Sequence, residues 1–154
     1  MGETPRDRGA RPPAAGFVTG SPMTAAPEAQ VIDVERVVCR LSELEQSARA
    51  FTLGGGDWPV RIFVLRVRDA VHGYLNRCPH AGHPLDLLPG RFLTADGTLI
   101  LCSSHGALFE KATGYCVAGP CVGRSLTPVP LQVRCGLVML ADGVDPGALA
   151  ALVP

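Results

Sequence analysis

The sequence lacks a charge excess of either sign, and it lacks any long apolar run. Its 14 basic and 14 acidic residues give a formal net charge of zero, so the chain has no global basic field that would attract nucleic acid or an anionic membrane. No segment reaches the roughly 18 to 20 consecutive apolar residues that span a bilayer. The N-terminus also lacks the continuous apolar core of a secretory signal. We therefore expect a cytoplasmic protein with neither a nucleic-acid nor a membrane partner.

The composition indicates one loop-rich β domain. A chain of 154 residues has room for a single domain, and any large catalytic partner must then be a separate chain. The sequence is 47% hydrophobic, but its 18 glycines and 14 prolines predict many turns and few long helices. Residues 1–30, rich in Ala, Gly, Pro and Arg, are expected to be a disordered tail. The domain should span 31–145, with a short C-terminal tail at 146–154. The choice between Met1 and Met23 as the biological start stays open.

Local patterns place several predicted strands directly before cysteines. Ser42 and Glu45 form a capping-box pattern, which predicts a short helix to about Ala50. β-rich runs predict two hairpins and one further strand after a turn signal. The predicted strands are 60–68 and 71–76 in the first hairpin, 98–101 alone, and 131–134 and 137–140 in the last hairpin, which turns at Cys135 and Gly136. Two of these strands lead into Cys78 and Cys102.

Two short segments carry the pattern of a metal site: CPHAGH at 78–83 and CSSHGALF at 102–109. Each segment supplies one thiolate and one imidazole, and Gly82 and Gly106 allow the backbone to bend away from them. Two Cys and two His suit either tetrahedral zinc or a [2Fe-2S] cluster in which two His replace two Cys on one iron. Structural zinc sites usually combine Cys-x-x-Cys with a His pair three to five residues apart. The mixed Cys-x-His and Cys-x-x-His pairs therefore favour the cluster.

This arrangement resembles the Rieske family, whose pattern is Cys-x-His, a variable spacer and Cys-x-x-His. The resemblance covers roughly residues 37–141 and extends beyond the ligands to Pro79, Pro84, Gly106, a Gly114-Tyr115 turn and a proline loop at Gly119 and Pro120. It implies an all-β Rieske-like fold of stacked antiparallel sheets with a small cluster-binding subdomain of two hairpin-like loops. It also implies one [2Fe-2S] cluster per chain. Cys78 and Cys102 would hold the inner iron, while His80 and His105 would each hold the outer iron through one ring nitrogen.

Two departures from the high-potential members of that family narrow the expected role. Members in cytochrome bc complexes carry a disulfide between the two ligand loops, but the matching positions here are His83 and Ser104. Those members also place a Ser and a Tyr as hydrogen-bond donors to the cluster sulfurs, where this chain has Ala107 and Phe109. Because such donors stabilise the reduced cluster and help to set its potential, we expect a low-potential, ferredoxin-like protein.

The resemblance therefore implies a soluble electron carrier that turns over no substrate of its own. It would pass single electrons from a flavin-dependent reductase to a terminal oxygenase or a similar redox enzyme. At 154 residues the chain is expected to be too short for the oxygenase domain with its mononuclear iron. Two alternatives stay open: a Rieske-like small subunit of a nitrite-reductase-type enzyme, and a zinc-stabilised binding module without redox chemistry.

The remaining histidines and cysteines are expected to be structural. His72 is predicted to be an exposed strand residue, and His83 is predicted to lie near the cluster tip without binding metal. Four cysteines lie in contexts that do not complete a second metal site, and free Cys behaves as a small hydrophobe. They are predicted to be small buried thiols: Cys39, Cys116, Cys121 and Cys135.

Overall fold

The computed structural model describes residues 31–45, 47–54, 57 and 59–152. From Asp33 onward they belong to one compact unit, and within them the chain forms ten short strands, two 3₁₀ turns and one helix. The strands are β1 (Val37–Arg40), β2 (Arg49–Leu53), β3 (Val60–Val67), β4 (Ala70–Leu75), β5 (Leu99–Leu101), β6 (Leu108–Glu110), β7 (Cys116–Ala118), β8 (Pro128–Val129), β9 (Leu131–Arg134) and β10 (Leu137–Leu140). The 3₁₀ turns are Val34–Arg36 and Leu41–Leu44, and the helix is α1 (Pro146–Ala150).

The strands form three antiparallel sheets with the orders β1-β10-β9, β2-β3-β4-β8 and β5-β6-β7. The two predicted hairpins are confirmed as β3-β4 and β9-β10, and the predicted single strand is confirmed as β5. Cys135 and Gly136 turn the β9-β10 hairpin with φ angles of 49° and 74°. Two successive positive φ values are typical of a type I′ turn, whose twist matches that of the flanking strands. The all-β fold class is also confirmed.

Strand β3 supplies both hydrophobic cores, because alternate side chains of a strand point to opposite faces of its sheet. Ile62 and Val64 pack in a core shared with β1 and β10, which we call the first core. Phe63 and Leu65 pack in a core shared with β5, β6 and β7, which we call the second core. The Phe63 ring stacks on Phe92 with ring centroids 4.5 Å apart. The second core thus anchors the third sheet, whose β5-β6 connection contains Cys102, to the central sheet, whose strand β4 leads to Cys78.

The helix predicted over 42–50 is wrong. The chain forms only the 3₁₀ turn Leu41–Leu44, and Glu43 Oε2 accepts a hydrogen bond of 2.7 Å from the amide of Arg40, the residue before the turn. Strand β2 then begins at Arg49 and pairs with β3 along its whole length. A capping signal is worth about 1 kcal/mol, and here pairing with strand β3, in which Arg49 lies opposite Val64, decides the local conformation.

The C-terminal segment ends in the short helix α1. Asp145 caps this helix by accepting a hydrogen bond from Gly147 N at 2.8 Å, and Leu149 is buried in the first core. The domain boundaries at 31–145 and 146–154 stay predictions, and the predicted tail at 1–30 lies outside the described residues. Within the described part of the chain, no helix is long and apolar enough to cross a membrane.

Candidate metal centre

The two candidate ligand loops share one backbone hydrogen-bond pattern. In the first loop, Cys78 N donates to the carbonyl five positions later and Gly82 N donates back to Cys78 O, both at 2.8 Å. In the second loop, Cys102 N donates to the carbonyl five positions later at 2.9 Å, and Gly106 N donates back to Cys102 O at 3.0 Å. Both glycines have a φ of 72°, in the left-handed region that glycine adopts without strain. The sequence pattern therefore encodes the same tight loop twice.

A buried polar pair holds the first loop. Asn76 and Asp86 are 6% and 8% exposed, and Asn76 Nδ2 donates to Asp86 Oδ1 at 2.6 Å. Asn76 Oδ1 accepts from Leu85 N at 2.8 Å, and Asp86 Oδ2 accepts from Gly90 N at 3.2 Å. Sequence reasoning missed both residues, because ten positions separate them and neither belongs to a ligand motif. They bracket the loop and fix the distance between its ends.

The four candidate ligands form a buried thiol pair and an exposed imidazole pair. Cys78 and Cys102 are 1% and 0% exposed, whereas His80 and His105 are exposed. The Nδ1 atoms of the two histidines lie 3.3 Å apart, and their ring planes meet at 82°. Two nitrogen ligands about 2.1 Å from a tetrahedral metal lie about 3.4 Å apart. The imidazole pair therefore has the spacing that one shared metal ion requires.

The chemistry of this donor set also fits a bound cluster. Burial raises the pKa of the Cys78 thiol, a backbone hydrogen bond from His80 opposes that shift, and the neighbouring Cys102 thiol adds to it. Thiols in such surroundings stay protonated until a metal displaces the proton. Beside them, Ser104 Oγ is buried and has no hydrogen-bond partner among the described residues, and a buried hydroxyl normally has one. Among the described residues, no group of three or more His, Cys, Asp or Glu side chains lies close enough together to hold one metal ion. The four candidate ligands form two pairs instead.

A third segment, residues 116–124, packs on both ligand loops. A backbone hydrogen bond of 2.8 Å between its first and last residues closes it. Arg124 Nη1 donates to Pro79 O of the first loop at 3.0 Å. Against the second loop, Gly119 lies so close to Ala107 that a Cβ on the glycine would be 2.7 Å from Ala107 Cα. The segment therefore contacts the first and second ligand loops at once.

His83 and His72 are the two histidines that are not candidate ligands. His83 is exposed, and its ring centroid lies 5.6 Å from that of His105 with an interplanar angle of 32°. His72 lies in β4, and it is partly buried rather than exposed as predicted. Ala107 and Phe109, which stand where relatives carry hydroxyl donors, are both 0% exposed in the second core.

The prediction of buried thiols holds for three of the four remaining cysteines. Cys39, Cys116 and Cys121 are buried, whereas Cys135 is exposed. The prediction for Cys135 is wrong because this residue forms the hairpin turn itself, where the side chain points away from both cores. Burial raises the pKa of the Cys39 thiol to about 11, which makes it a poor nucleophile.

The fold and the site define a small all-β protein with a candidate metal centre at two loops of equivalent backbone structure. The model of the Rieske [2Fe-2S] domain family matches residues 34–135. This chain belongs to the Rieske [2Fe-2S] domain family, and it carries one [2Fe-2S] cluster. The sequence-based recognition of the family is confirmed.

Solved structures agree with this assignment. A chain from a complex of reduced oxygenase and oxidized ferredoxin in carbazole 1,9a-dioxygenase is 27% identical, with a TM-score of 0.55 over 68% of this chain and 99% of that one. The ferredoxin of carbazole 1,9a-dioxygenase from Nocardioides aromaticivorans IC177 is also 27% identical, with a TM-score of 0.54 over 68% of this chain and 94% of that one. The terminal oxygenase from the same organism is 22% identical with a TM-score of 0.57, covers 71% of this chain and only 30% of its own, and shows the fold alone. No curated protein matches the sequence.

Proposed function

We propose that this protein is an electron carrier that moves one electron at a time on its Rieske [2Fe-2S] cluster. The observation that carries the proposal is the asymmetry of the candidate ligands. The cysteine pair is buried in the second core, whereas the histidine pair lies exposed with its Nδ1 atoms 3.3 Å apart. A partner that docks on the exposed imidazoles approaches the redox centre more closely than it could from any other side.

The proposed ligands are Cys78 and Cys102 on the inner iron and His80 and His105 on the outer iron. Because the two imidazoles face each other through Nδ1, Nδ1 is the proposed ligating atom in both. The bound cluster supplies the ability to take up and release a single electron. The residues of the chain bind it, exclude water from its buried side through the second core, and expose one edge of each imidazole to a partner.

The surroundings of the second loop support a low reduction potential. Ala107 and Phe109 are fully buried, and neither side chain has a hydrogen-bond donor. Donors to the cluster or to its ligand sulfurs stabilise the extra negative charge of the reduced state. Their absence at these two positions keeps the reduced state relatively unfavourable, which suits a protein that delivers electrons.

The proposed electron donor is a flavin-dependent reductase, and the proposed acceptor is a terminal oxygenase or a similar redox enzyme. Structural relatives at 27% identity include the ferredoxin of a carbazole 1,9a-dioxygenase system, which supports an acceptor of the oxygenase class. In this role the protein works in the cytoplasm and turns over no substrate.

The test follows two steps in turn: the reduction of the cluster by a reductase and its oxidation by an oxygenase. The anaerobically purified holo protein is reduced by NADH and a flavin-dependent ferredoxin reductase, then mixed with an oxidised Rieske oxygenase, and the visible absorbance of the cluster is recorded. We expect one electron per chain to be taken up and then passed on, with no product formed when the oxygenase is omitted. A cluster that the reductase cannot reduce, or a chain that contains stoichiometric zinc, would overturn the proposal.

A further inference from the structure

The segments around the candidate metal centre are basic, although the chain as a whole has no net charge. They are residues 77–93, 102–109 and 116–124, which contain the two ligand loops and the third segment. Their one acidic residue is Asp86, which is buried and accepts two hydrogen bonds inside the protein. The same segments contain three arginines and three histidines: Arg77, Arg91, Arg124, His80, His83 and His105. We call the exposed residues of these three segments the cluster face, and this face carries an excess of positive charge.

Two of the arginines are exposed, one beside each ligand loop. Arg124 Nη1 donates to Pro79 O at 3.0 Å, which places its guanidinium next to the residue that precedes His80. The acceptor is a neutral carbonyl oxygen, so this contact does not cancel the charge of Arg124. Arg91 lines a cleft together with Gly106, the residue that follows His105. A partner that approaches the exposed imidazole pair therefore meets a positive charge at both loops.

Exposed apolar side chains accompany these charges. Leu88 and Val122 are 56% and 59% exposed. Leu88 lines the cleft beside Arg91, together with the half-buried side chains of Leu93 and Leu101. The cleft has a volume of about 570 Å³, within the range of cavities that hold bound groups. Arginine beside exposed apolar side chains is typical of surfaces that contact another protein.

We propose that the cluster face is the docking surface for the electron acceptor, and that the acceptor presents carboxylates around an apolar side chain. This inference rests on the proposed electron-carrier function and names the chemistry of the partner that this function requires. The carboxylates pair with Arg91 and Arg124, and the apolar side chain enters the cleft at Leu88. Exposed charge pairs add little to affinity, but they accelerate and orient the encounter. The acceptor then meets the exposed edges of the two imidazoles at the centre of the contact.

The first test measures the charge at the exposed edge of the cluster with two small oxidants of opposite charge. The reduced full-length holo protein is mixed in a stopped-flow instrument with ferricyanide, a trianion, or with hexaamminecobalt(III), a trication, at several ionic strengths. Each reaction moves one electron from the cluster to the oxidant. We expect added salt to slow the reaction with ferricyanide and to accelerate the reaction with hexaamminecobalt(III). The opposite trends, or no dependence on salt, would overturn the inference.

Arginine variants show which charges are responsible. Arg91→Gln and Arg124→Gln should each slow the reaction with ferricyanide at least about threefold at low salt, because a unit charge about 10 Å from a trianion changes the encounter energy by more than the thermal energy. Arg124→Lys keeps the charge and should react at the wild-type rate. Arg68→Gln is the matched control, because Arg68 is exposed at the β3-β4 turn, the end of the hairpin opposite to the first ligand loop. An effect of Arg68→Gln equal to that of the other two, or an Arg124→Lys rate equal to that of Arg124→Gln, would contradict the role of the charges.

The second test uses the oxidised Rieske oxygenase that accepts electrons in the delivery assay, at concentrations below saturation. Transfer to this enzyme should slow with added salt and in both Arg→Gln variants of the cluster face. Leu88→Ala should slow transfer to the oxygenase about threefold but leave the rate with ferricyanide unchanged, because a small ion has no side chain to place in the cleft. If the cluster neither takes up nor passes on electrons, the proposed function fails. If the oxygenase is reduced at a rate that depends neither on salt nor on these variants, the proposed function stands and the docking inference is overturned.

Discussion

The contact between Gly119 and Ala107 predicts that one added methyl group will loosen the cluster site. A Cβ at Gly119 would lie 2.7 Å from Ala107 Cα and 3.2 Å from Ala107 N, which are backbone atoms that cannot rotate away. The φ of Gly119 is also 102°, a conformation in which a side chain is strained. The strain costs about 1 to 3 kcal/mol, and forcing an extra carbon into a packed site costs about 1 to 3 kcal/mol more. Gly119→Ala should therefore destabilise the contact with the second ligand loop by about 2 to 6 kcal/mol in total.

Gly123 in the same segment provides a matched control. Its φ is 87°, but a Cβ there would meet no atom within 4 Å. Gly123→Ala should therefore carry the strain of the backbone without the clash. Because unfolding with loss of a cofactor is not a two-state equilibrium, the suitable measurement is the rate at which cluster absorbance bleaches in the presence of an iron chelator. Since about 1.4 kcal/mol corresponds to a factor of ten, a clash of about 1 kcal/mol or more should make Gly119→Ala bleach at least about fivefold faster than Gly123→Ala. Equal rates would show that the segment does not support the ligand loop.

Three further predictions follow from the same geometry. Removal of the cluster should loosen residues 78–86 and 102–109 first, because no disulfide links the two loops. Hydrogen exchange on the apo and holo protein measures this loss of order, and equal protection of the loops in both forms would contradict the prediction. The wild-type reduction potential should lie near the bottom of the range of about −150 to +300 mV that Rieske clusters span. Ala107→Ser and Phe109→Tyr should each raise this potential in voltammetry, and unchanged values would mean that another factor sets it. Asn76→Ala should cost about 1 to 3 kcal/mol and accelerate bleaching, because it leaves Asp86 and the Leu85 amide without their buried partner; wild-type kinetics would speak against that role.

Much of the site could be predicted from the sequence because its information is local. The spacing of Cys78 and His80, and of Cys102 and His105, belongs to loops that close on themselves through hydrogen bonds over four or five positions. The hairpin at Cys135 and Gly136 is local in the same way. The ligand identities themselves stay a prediction.

The parts that sequence reasoning missed depend on contacts between distant segments. The helix was predicted to run to about Ala50, into the start of strand β2, because a capping pattern is visible locally, whereas the pairing of β2 with β3 is not. The Asn76 and Asp86 pair is a contact between the two ends of a loop. The hydrogen bond from Arg124 to Pro79 O joins residues more than forty positions apart, so no local pattern could indicate it.

The central claim is that His80 and His105, but not His83, hold the outer iron. It is tested most directly by electron paramagnetic resonance of the anaerobically purified, reduced protein and of the three single variants His80→Ser, His105→Ser and His83→Ser. The account predicts a Rieske-type signal in the wild type and in His83→Ser, and no such signal in His80→Ser or His105→Ser. Loss of the signal in His83→Ser together with its survival in His80→Ser or His105→Ser would contradict it.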